Sequence, residues 1–425
     1  MTAWRGDGPW DGAPGAPATA LAPRVTSARV RTVLLYAQDN QGLGHINRTL
    51  VIARHLLAAH PNLVAYIATK SAIAGHFALP PRCDYIKLPG RLTPPTMLQT
   101  SEEAEAARQH FRAIRGRLLR DAALGLAPDL VLVDHEPVGS AGEFRDGLYA
   151  LKAERPRTKF VCGLRDVADH PHRTRARWRD LGVYDAFQDL YDGIAVYGCP
   201  TVYDVARAYD IPASVLPKVH YCGYVAREAP SVDANLLRRR HGLPDQGRLV
   251  VATVGSGSDG YPVLEATRAA LERLHTRDPD LLAILVTGPF MPSVQQARLR
   301  AGETALCRVL DRADTLGLMA AADAIVTMGG YNSVCEALAV GRPLVIVPRA
   351  THKVEQQIRA EALAARGLAR WVHPDALDPP VLAEALEWAL TCDRRDHDRR
   401  VREVIPQFDG AARLTAYLAP WLDDC

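Results

Sequence analysis

The chain has 425 residues, of which 48% are hydrophobic and 23% are charged. This length exceeds what a single hydrophobic core usually serves, so the sequence predicts a globular protein of two domains. The formal net charge is only +3, with acidic and basic residues mixed along the chain, which argues against nucleic acid or an anionic surface as a partner.

The cysteines and the chain start indicate a cytoplasmic protein. The eight cysteines are spread singly, without a Cys-x-x-Cys pair. Several lie in apolar runs, where cysteine behaves as a small buried side chain, and this favours a reducing compartment. No apolar run approaches the roughly 18 residues of a transmembrane segment. Residues 1–28 are rich in Ala, Gly and Pro and lack the apolar centre of a signal peptide, so we expect a disordered N-terminal extension there.

After this extension, short apolar runs alternate with helix-length segments, which is the pattern of parallel β-α-β units. The strands predicted in the first half are residues 32–37, 63–68, 129–133, 159–164 and 193–197. A long helix is predicted over 101–126. Near residue 225 the alternation stops and a charged linker follows.

A second series of apolar runs begins after the linker. The strands predicted there are residues 248–255, 281–288, 307–313, 324–330 and 343–349. Each is followed by residues at helical spacing. The sequence therefore predicts an α/β protein with two doubly wound, Rossmann-like domains facing each other across a cleft. We expect the first domain over 29–223, a linker over 224–246, the second domain over 247–404, and a C-terminal helix over 405–425 that crosses back to the first domain.

The stretch QGLGHINRTLVIARHL, residues 41–56, places a glycine-rich turn between a predicted strand and a predicted helix. The apolar stripe of that helix is Ile46, Leu50, Ala53 and Leu57, and Arg48 lies off it. Turns at the carboxyl edge of a parallel sheet are common ligand sites. His45 is therefore a candidate catalytic base, and Gly44 a residue that lets a ligand approach; the alternative is a purely structural turn.

A second strand end supplies partners for such a base. The stretch LVLVDHEPVG, residues 130–139, ends a predicted strand with Asp134, which we predict orients His45. Asp at this position also serves simply as a turn cap, which is the alternative. His135 in the same loop is a rival base.

Two further loops hold polar residues of interest. Arg165 and Asp166 end a third predicted strand and are candidate acceptor contacts, together with His135 and Glu136. His170, His172 and Arg173 follow in a segment that could suggest a metal or a phosphate, but a solvated loop is the favoured interpretation there. The loop GSGSDG, residues 255–260, is interpreted as a phosphate cradle, with a flexible turn as the alternative.

The most informative stretch runs from Met328 to Leu368. A buried strand ends at Gly329 and Gly330, and a helix is predicted to begin at about residue 332 or 333. The free N–H groups of a helix start, with glycines beside them, form an anion site suited to a diphosphate. If Ser333 is the N-cap, Glu336 falls at the third helical position of a capping box. The alternative role for Glu336 is to accept hydrogen bonds from the two hydroxyls of a ribose.

This stretch resembles the GT-B nucleotide-sugar glycosyltransferases, most closely the branch that contains the UDP-N-acetylglucosamine transferase of peptidoglycan synthesis. The residues that carry the resemblance are Gly329-Gly330, Glu336, Gly341-x-Pro343, Pro348 and HKVEQQ at 352–357, and more weakly TVGSGSDG at 253–260 and GLGHINRTLVIARHL at 42–56. The segment between Pro348 and His352 is one residue longer than in the peptidoglycan enzyme, which leaves the donor base and the acceptor open.

The resemblance implies that the second domain binds the nucleotide sugar and the first domain binds the acceptor. It implies Glu336 on the ribose hydroxyls, and Gln356 or Gln357 on the hydroxyls of the donor sugar. The donor-binding residues that follow are Gly44, Gly255, Ser256, Gly257, Gly329, Gly330, Asn332, Ser333, Glu336, His352, Gln356 and Gln357. Gly44 and His45 would face the donor phosphates or the acceptor from across the cleft.

The resemblance thus implies an inverting transfer of a sugar from a UDP-sugar, or second a GDP-sugar, to a small-molecule or lipid-linked acceptor in natural-product or cell-envelope biosynthesis. No tightly bound cofactor is expected, and no obligatory metal, because no Asp-x-Asp motif ends a predicted strand. One alternative is a nucleotide-sugar 2-epimerase of the same fold, which would turn over without an acceptor. Another is a nucleotide-sugar-binding protein without catalysis.

Overall fold

The computed structural model describes residues 29–38, 44–71, 74–90, 100–349 and 354–423. The extension predicted over residues 1–28 and the donor residue His352 lie outside the described residues. None of the helices in the described ranges is long and apolar enough to cross a membrane.

The first half of the described chain forms a parallel sheet. Its seven strands are β1 (Arg31–Ala37), β2 (Leu63–Thr69), β3 (Cys83–Lys87), β4 (Leu130–Asp134), β5 (Lys159–Arg165), β6 (Gly193–Tyr197) and β7 (Val219–Tyr221). They are arranged in the order β3-β2-β1-β4-β5-β6-β7. Strands β1 to β3 are added toward one edge of the sheet and strands β4 to β7 toward the other, so the strand order reverses between the parallel neighbours β1 and β4. In open α/β sheets such a switch point is where a crevice forms at the carboxyl ends of the strands.

The second half repeats this plan. Its six described strands are β8 (Leu249–Thr253), β9 (Leu282–Val286), β10 (Cys307–Leu310), β11 (Ala324–Thr327), β12 (Leu344–Ile346) and β13 (Arg370–Trp371). They form a second parallel sheet in the order β10-β9-β8-β11-β12-β13. The switch point here lies between β8 and β11.

Helices connect the strands of each sheet. Those of the first half are α1 (Gly44–Ala59), α2 (Ser101–Leu126), α3 (Arg145–Glu154), α4 (Pro171–Asp180), α5 (Val183–Asp185) and α6 (Val205–Ala208). Those that follow are α7 (Ala234–Arg240), α8 (Tyr261–Leu274), α9 (Ser293–Arg300), α10 (Thr315–Ala321), α11 (Tyr331–Ala339), α12 (Glu355–Ala364), α13 (Pro379–Thr391), α14 (Arg394–Val404) and α15 (Gly410–Asp423). The predicted α/β class with two doubly wound sheets is confirmed.

The ten predicted strands are all present among the described residues, with ends that shift by at most three residues. The short strands β3, β7 and β13 were not predicted. β3 and β7 are half-exposed strands at the two edges of the first sheet, and β13 has only two residues, so none of them has the continuous apolar run of a central strand.

Apolar packing joins the two halves. One hydrophobic cluster is continuous from Leu50 in α1 through Tyr224 after β7 to Val334 in α11. The C-terminal helix α15 packs against α1, and its Tyr417 ring stacks on His220 at the end of the first sheet, with ring centroids 4.4 Å apart. The C-terminal helix thus returns to the first half of the chain and packs there.

Candidate active site

His45 and Asp134 meet at the switch point of the first sheet. Helix α1 begins at Gly44 beyond the carboxyl end of β1, and β4 ends with Asp134. Because β1 and β4 are parallel neighbours, these two ends lie at the same edge. His45 Nδ1 is 2.7 Å from Asp134 Oδ2. The structure thus brings together the two residues that the sequence pairs, and their catalytic role stays a prediction.

Arg48 holds the other side of the Asp134 carboxylate. Its Nε and Nη2 donate to Oδ1 at 3.0 and 2.9 Å, and Nη2 also donates to Oδ2 at 2.7 Å. Arg48 is only 2% exposed. The expectation that it lies off the buried face of the helix is wrong, because α15 and α11 cover faces of α1 that the sheet leaves open. The sequence does hold one signal for this contact, because Arg48 lies three residues after His45 and therefore on the same side of the helix.

The burial of this cluster sets its protonation. Burial alone would raise the pKa of Asp134, but Arg48 and His45 together lower it to about 2, so the carboxylate is ionised. An ionised carboxylate only accepts hydrogen bonds, so the His45 Nδ1 atom that contacts it must carry the proton. Burial lowers the pKa of His45 to about 4, against the raising effect of Asp134. His45 is therefore neutral near pH 7, with the lone pair on Nε2, and no hydrogen-bond partner of Nε2 lies in the described part of the chain.

His135 and Glu136 follow Asp134 in the same loop and are both buried. His135 has φ +69°, a left-handed conformation that is uncommon for a residue with a side chain and that is concentrated at functional sites. Its ring centroid is 5.4 Å from that of His45, and its Nε2 is 2.8 Å from Arg165 Nη2. Glu136 Oε2 accepts a hydrogen bond from Arg177 Nη2 at 2.5 Å. The loop therefore extends the polar site away from His45.

A small cavity of about 60 Å³ opens beside this loop. Its lining residues are His135, Glu136, Ala168, Asp169, Arg173, Thr174, Arg177 and Trp178. Thr174 is 5% exposed, and its hydroxyl has no hydrogen-bond partner among the described residues. The segment that was expected to be a solvated loop is in fact the start of α4, with the His170 side chain as its N-cap. The cavity offers polar groups to a ligand close to His45.

Asp166 and Arg165 join the two domains. Arg359 of α12 donates to both Asp166 oxygens at 2.8 and 2.7 Å, and the side chain of Asp166 has no exposed surface. In this conformation Asp166 forms a buried interdomain ion pair, and its role as an acceptor contact stays a prediction. Arg165 Nη2 likewise pairs with Glu355 of α12 at 2.5 Å.

The second switch point is built from backbone rather than from charged side chains. Gly257 in the loop after β8 has φ +89°, and a Cβ there would lie 2.0 Å from the Thr287 carbonyl oxygen. Gly329 after β11 has φ +79°, and its Cβ would lie 2.9 Å from Ile346. Helices α8 and α11 follow these loops, and neither has a side chain bound to its first N–H groups. Two uncapped helix starts beside close-packed glycines are the kind of backbone that suits an anion, and anion binding here stays a prediction.

Glu336 does not belong to a capping box. Helix α11 begins at Tyr331 with Gly330 as N-cap, three residues earlier than that interpretation requires, so Ser333 is already inside the helix. The carboxylate of Glu336, which is 6% exposed, instead accepts from Arg227 Nε at 2.6 Å and Nη2 at 3.0 Å. Arg227 follows the end of the first sheet and has no local sequence signal that connects it to Glu336, 109 residues away.

The remaining donor residues surround the same edge. Asn332 Nδ2 donates to the Gly44 carbonyl oxygen at 3.0 Å, which places the start of α11 against the start of α1. Gln356 and Gln357 lie in the first turn of α12. The Gln356 side-chain oxygen accepts from the Arg349 N–H at 2.9 Å, and the Gln357 amide donates to Glu361 at 2.8 Å. In the described ranges no group of three or more His, Cys, Asp or Glu side chains is arranged to hold a metal ion, and metal independence stays a prediction.

Residues 250–400 match the family described as the glycosyltransferase family 28 C-terminal domain. This range contains both glycine loops, Glu336 and the first turn of α12. It excludes His45 and Asp134, so the match concerns the second switch point.

Curated relatives extend the similarity toward the whole chain. An uncharacterized glycosyltransferase of Methanopyrus kandleri is 28% identical over 195 residues, which are 45% of this chain and 52% of that protein, so the chain matches about half the length of this relative. An uncharacterized glycosyltransferase of Methanosarcina mazei is 23% identical over 87% of this chain and 93% of that protein. The UDP-N-acetylglucosamine–N-acetylmuramyl-(pentapeptide) pyrophosphoryl-undecaprenol N-acetylglucosamine transferase of Nocardia farcinica is 32% identical over 41% of this chain and 47% of that protein.

Solved structures share the fold over nearly the full length. The calicheamicin glycosyltransferase CalG4 superposes with a TM-score of 0.64 at 18% identity, covering 93% of this chain and 99% of that one. A Medicago truncatula protein complexed with UDP-glucose gives a TM-score of 0.61 at 14% identity, covering 92% and 98%. The chain has the GT-B glycosyltransferase fold, and its residues 250–400 are similar to the glycosyltransferase family 28 C-terminal domain.

Proposed function

We propose that the chain is an inverting glycosyltransferase that moves a sugar from a UDP-sugar to a hydroxyl acceptor. The observation that carries this proposal is the contact between Asn332 and Gly44. It places the uncapped start of α11, which suits a diphosphate, directly against the start of α1, which carries His45. A proton acceptor and a leaving-group site thus lie side by side across the domain interface.

The donor occupies the second domain in this proposal. The N–H groups at the starts of α8 and α11 stabilise the diphosphate, with Gly255, Ser256 and Gly257 lining one side. Glu336 accepts hydrogen bonds from the ribose hydroxyls. Since Arg227 holds this carboxylate in the structure, it shares Glu336 with the ribose or yields it when donor binds.

The transfer itself uses His45. The Nε2 lone pair takes the proton of the acceptor hydroxyl while the acceptor oxygen forms a bond to the anomeric carbon. The bond from that carbon to the diphosphate oxygen breaks, and its electron pair leaves with the diphosphate. Attack from the face opposite the diphosphate inverts the anomeric configuration. Asp134 keeps the proton on Nδ1 and stabilises the imidazolium that forms.

The acceptor lies on the first domain, next to His135, Glu136 and the cavity beside α4. The relative from Nocardia farcinica is named for UDP-N-acetylglucosamine and a lipid-linked acceptor, and the Medicago truncatula structure contains UDP-glucose. These support UDP-sugars as donors, with GDP-sugars second, and a small-molecule or lipid-linked acceptor. A cytoplasmic location is part of the same proposal.

We also propose the domain limits expected from the sequence. Residues 29–223 form the acceptor domain, 224–246 the linker and 247–404 the donor domain. Residues 405–425 form the return to the first domain, in keeping with the packing of α15 on α1.

A donor screen by thermal denaturation tests this function. UDP-, GDP-, TDP- and CDP-sugars are each added to the full chain, and a donor at 100 times its Kd stabilises the folded protein by about 2.7 kcal/mol. We expect UDP-sugars to give the largest shift, and Glu336→Gln, as the control, to reduce that shift. If none of the nucleotide sugars stabilises the protein, the proposal is contradicted. If the protein converts a UDP-sugar to its epimer without an acceptor, the reaction is epimerisation rather than transfer.

A further inference from the structure

Two buried arginines meet the same tyrosine at the domain interface. The guanidinium carbons of Arg48 and Arg359 lie 5.1 and 5.8 Å from the ring centre of Tyr331, the first residue of α11. Each arginine holds both oxygens of an aspartate of the first domain, Asp134 for Arg48 and Asp166 for Arg359. Arg48 and Arg359 are 2% and 1% exposed. The two pairs are therefore closely matched in geometry and burial.

The pairs differ in what the aspartate touches next. Asp134 accepts from His45, and Arg48 Nη2 itself lies 3.1 Å from His45 Nδ1. Asp166 contacts no histidine among its hydrogen-bond partners in the described ranges; it accepts from Arg359 and from the Val167 N–H. Arg48 thus lies between the candidate base His45 and the ring of Tyr331. Arg359 instead connects the first domain to the loop after β11, because it also donates to the Gly329 carbonyl oxygen.

We propose that Arg48 is a positioning residue of the transfer reaction, which fixes the orientation of the Asp134–His45 pair and ties that pair to the donor domain through Tyr331. This inference rests on the proposed function. A guanidinium that donates to both carboxylate oxygens fixes the orientation of the Asp134 side chain. Asp134 in turn fixes the tautomer of His45.

The electrostatic consequence concerns the strength of the base. The groups that face His45 are Asp134 at the end of β4, Arg48 on α1, and Arg165 and His135 at the neighbouring strand ends. Burial lowers the pKa of His45, Asp134 raises it, and Arg48 and Arg165 lower it. Since Arg48 neutralises the carboxylate that would stabilise the imidazolium, its removal raises the proton affinity of His45.

The first experiment is a ligand-free titration of His45. ¹⁵N-labelled imidazole resonances are followed against pH in wild type, Arg48→Met and Arg359→Met, with the His45→Gln spectrum as the assignment. We expect the His45 pKa to rise by about one unit or more in Arg48→Met, a tenfold gain in proton affinity, since a neighbouring cation typically shifts a pKa by this amount. The matched variant Arg359→Met also breaks a buried pair and lowers Tm, but leaves the His45 pKa unchanged. An unchanged pKa in Arg48→Met, or an equal rise in Arg359→Met, overturns the proposal.

The second experiment separates charge from geometry. Arg48→Lys keeps a cation near Asp134 but cannot hold both oxygens, so the His45 pKa should stay near that of wild type while kcat falls about 10²-fold, the usual effect of a misplaced catalytic group. Donor KM should change by less than threefold, because Arg48 meets the ring of Tyr331 and not the backbone N–H groups that are proposed to bind the diphosphate. A wild-type kcat in folded Arg48→Lys contradicts the positioning role of Arg48. If Arg48→Met does not fold, Arg48→Lys alone tests that role. The titration needs no substrate, so it remains valid if no nucleotide sugar is turned over.

Discussion

At the switch point of the first sheet, buried side chains that titrate or carry charge fill the edge, whereas at the second sheet the edge is made of glycines and uncapped helix starts. His45, Asp134 and Arg48 are hydrogen-bonded to one another in the first. In the second, Gly257 and Gly329 hold backbone conformations that a side chain would strain. Both edges come from the same doubly wound plan.

The contrast follows from what each edge is proposed to do. Taking a proton requires one titratable group in a fixed tautomer, which only a network of side chains provides. Holding a diphosphate requires several N–H donors at close range, which backbone without Cβ atoms provides. Substitutions at the first edge should therefore change the rate of transfer, and substitutions at the second should change donor affinity.

The largest effect is expected at the first edge. His45→Ala removes the proton acceptor, and kcat should fall by ~10²–10⁴, the usual contribution of a general base. Steady-state transfer at saturating donor and acceptor measures it. If His45→Ala keeps the wild-type single-turnover rate at saturation, His45 acts on the donor phosphates rather than as a base. The two sheet edges would then not differ in function.

The next largest effect is expected at Glu336. Glu336→Gln removes a charged acceptor from two ribose hydroxyls, worth ~1.5–3 kcal/mol, so donor Kd should weaken by roughly 10- to 150-fold. Because Arg227 also loses its partner, a modest drop in Tm should accompany it. A 2′-deoxy donor serves as the control, because it should lose little further affinity in the variant. Equal donor affinity in wild type and Glu336→Gln removes the ribose role.

Neighbouring glycines sharpen the second edge. Gly330 has φ −61° and open space where its Cβ would lie, so Gly330→Ala should leave Tm unchanged but weaken donor binding about tenfold, because the methyl group enters the diphosphate space. Gly329→Ala forces a left-handed alanine, which costs ~1–2 kcal/mol of stability. Melting and donor titration of both variants compare them. Full donor affinity in Gly330→Ala would show that no phosphate lies there.

The smallest effect concerns pH. The pKa of His45 is lowered to about 4, so this imidazole, the proposed base, stays deprotonated well below neutrality. The profile of kcat/KM should change less than twofold between pH 8 and pH 5.5, whereas an ordinary histidine with pKa ~6.5 would lose about tenfold there. An acid limb centred near pH 6.5 would show that His45 is not held as the structure indicates.

Much of the fold could be predicted from the sequence, because apolar runs of central parallel strands are local signals. The meeting of His45 with Asp134 was also predictable, since both end parallel strands or begin the helices that follow them. The position of Asn332, Gly257 and Gly329 at the edge of the second sheet was predictable in the same way, because they follow parallel strands.

Long-range pairs could not be predicted in this way. Arg48 lies off the apolar stripe of the predicted helix, and its burial could not be predicted because such a stripe describes one buried face whereas α1 has several. Arg359 lies 193 residues from Asp166, and the chain between them has no pattern that connects the two. The predicted capping box is absent because Gly330, rather than Ser333, is the N-cap of α11.

The division of labour between the two edges is tested most directly by calorimetric titration of a UDP-sugar into wild type, His45→Ala and Glu336→Gln. The account predicts donor Kd within a few-fold of wild type for His45→Ala, and a loss of roughly tenfold or more for Glu336→Gln. Loss of donor affinity in His45→Ala as large as that in Glu336→Gln would contradict it.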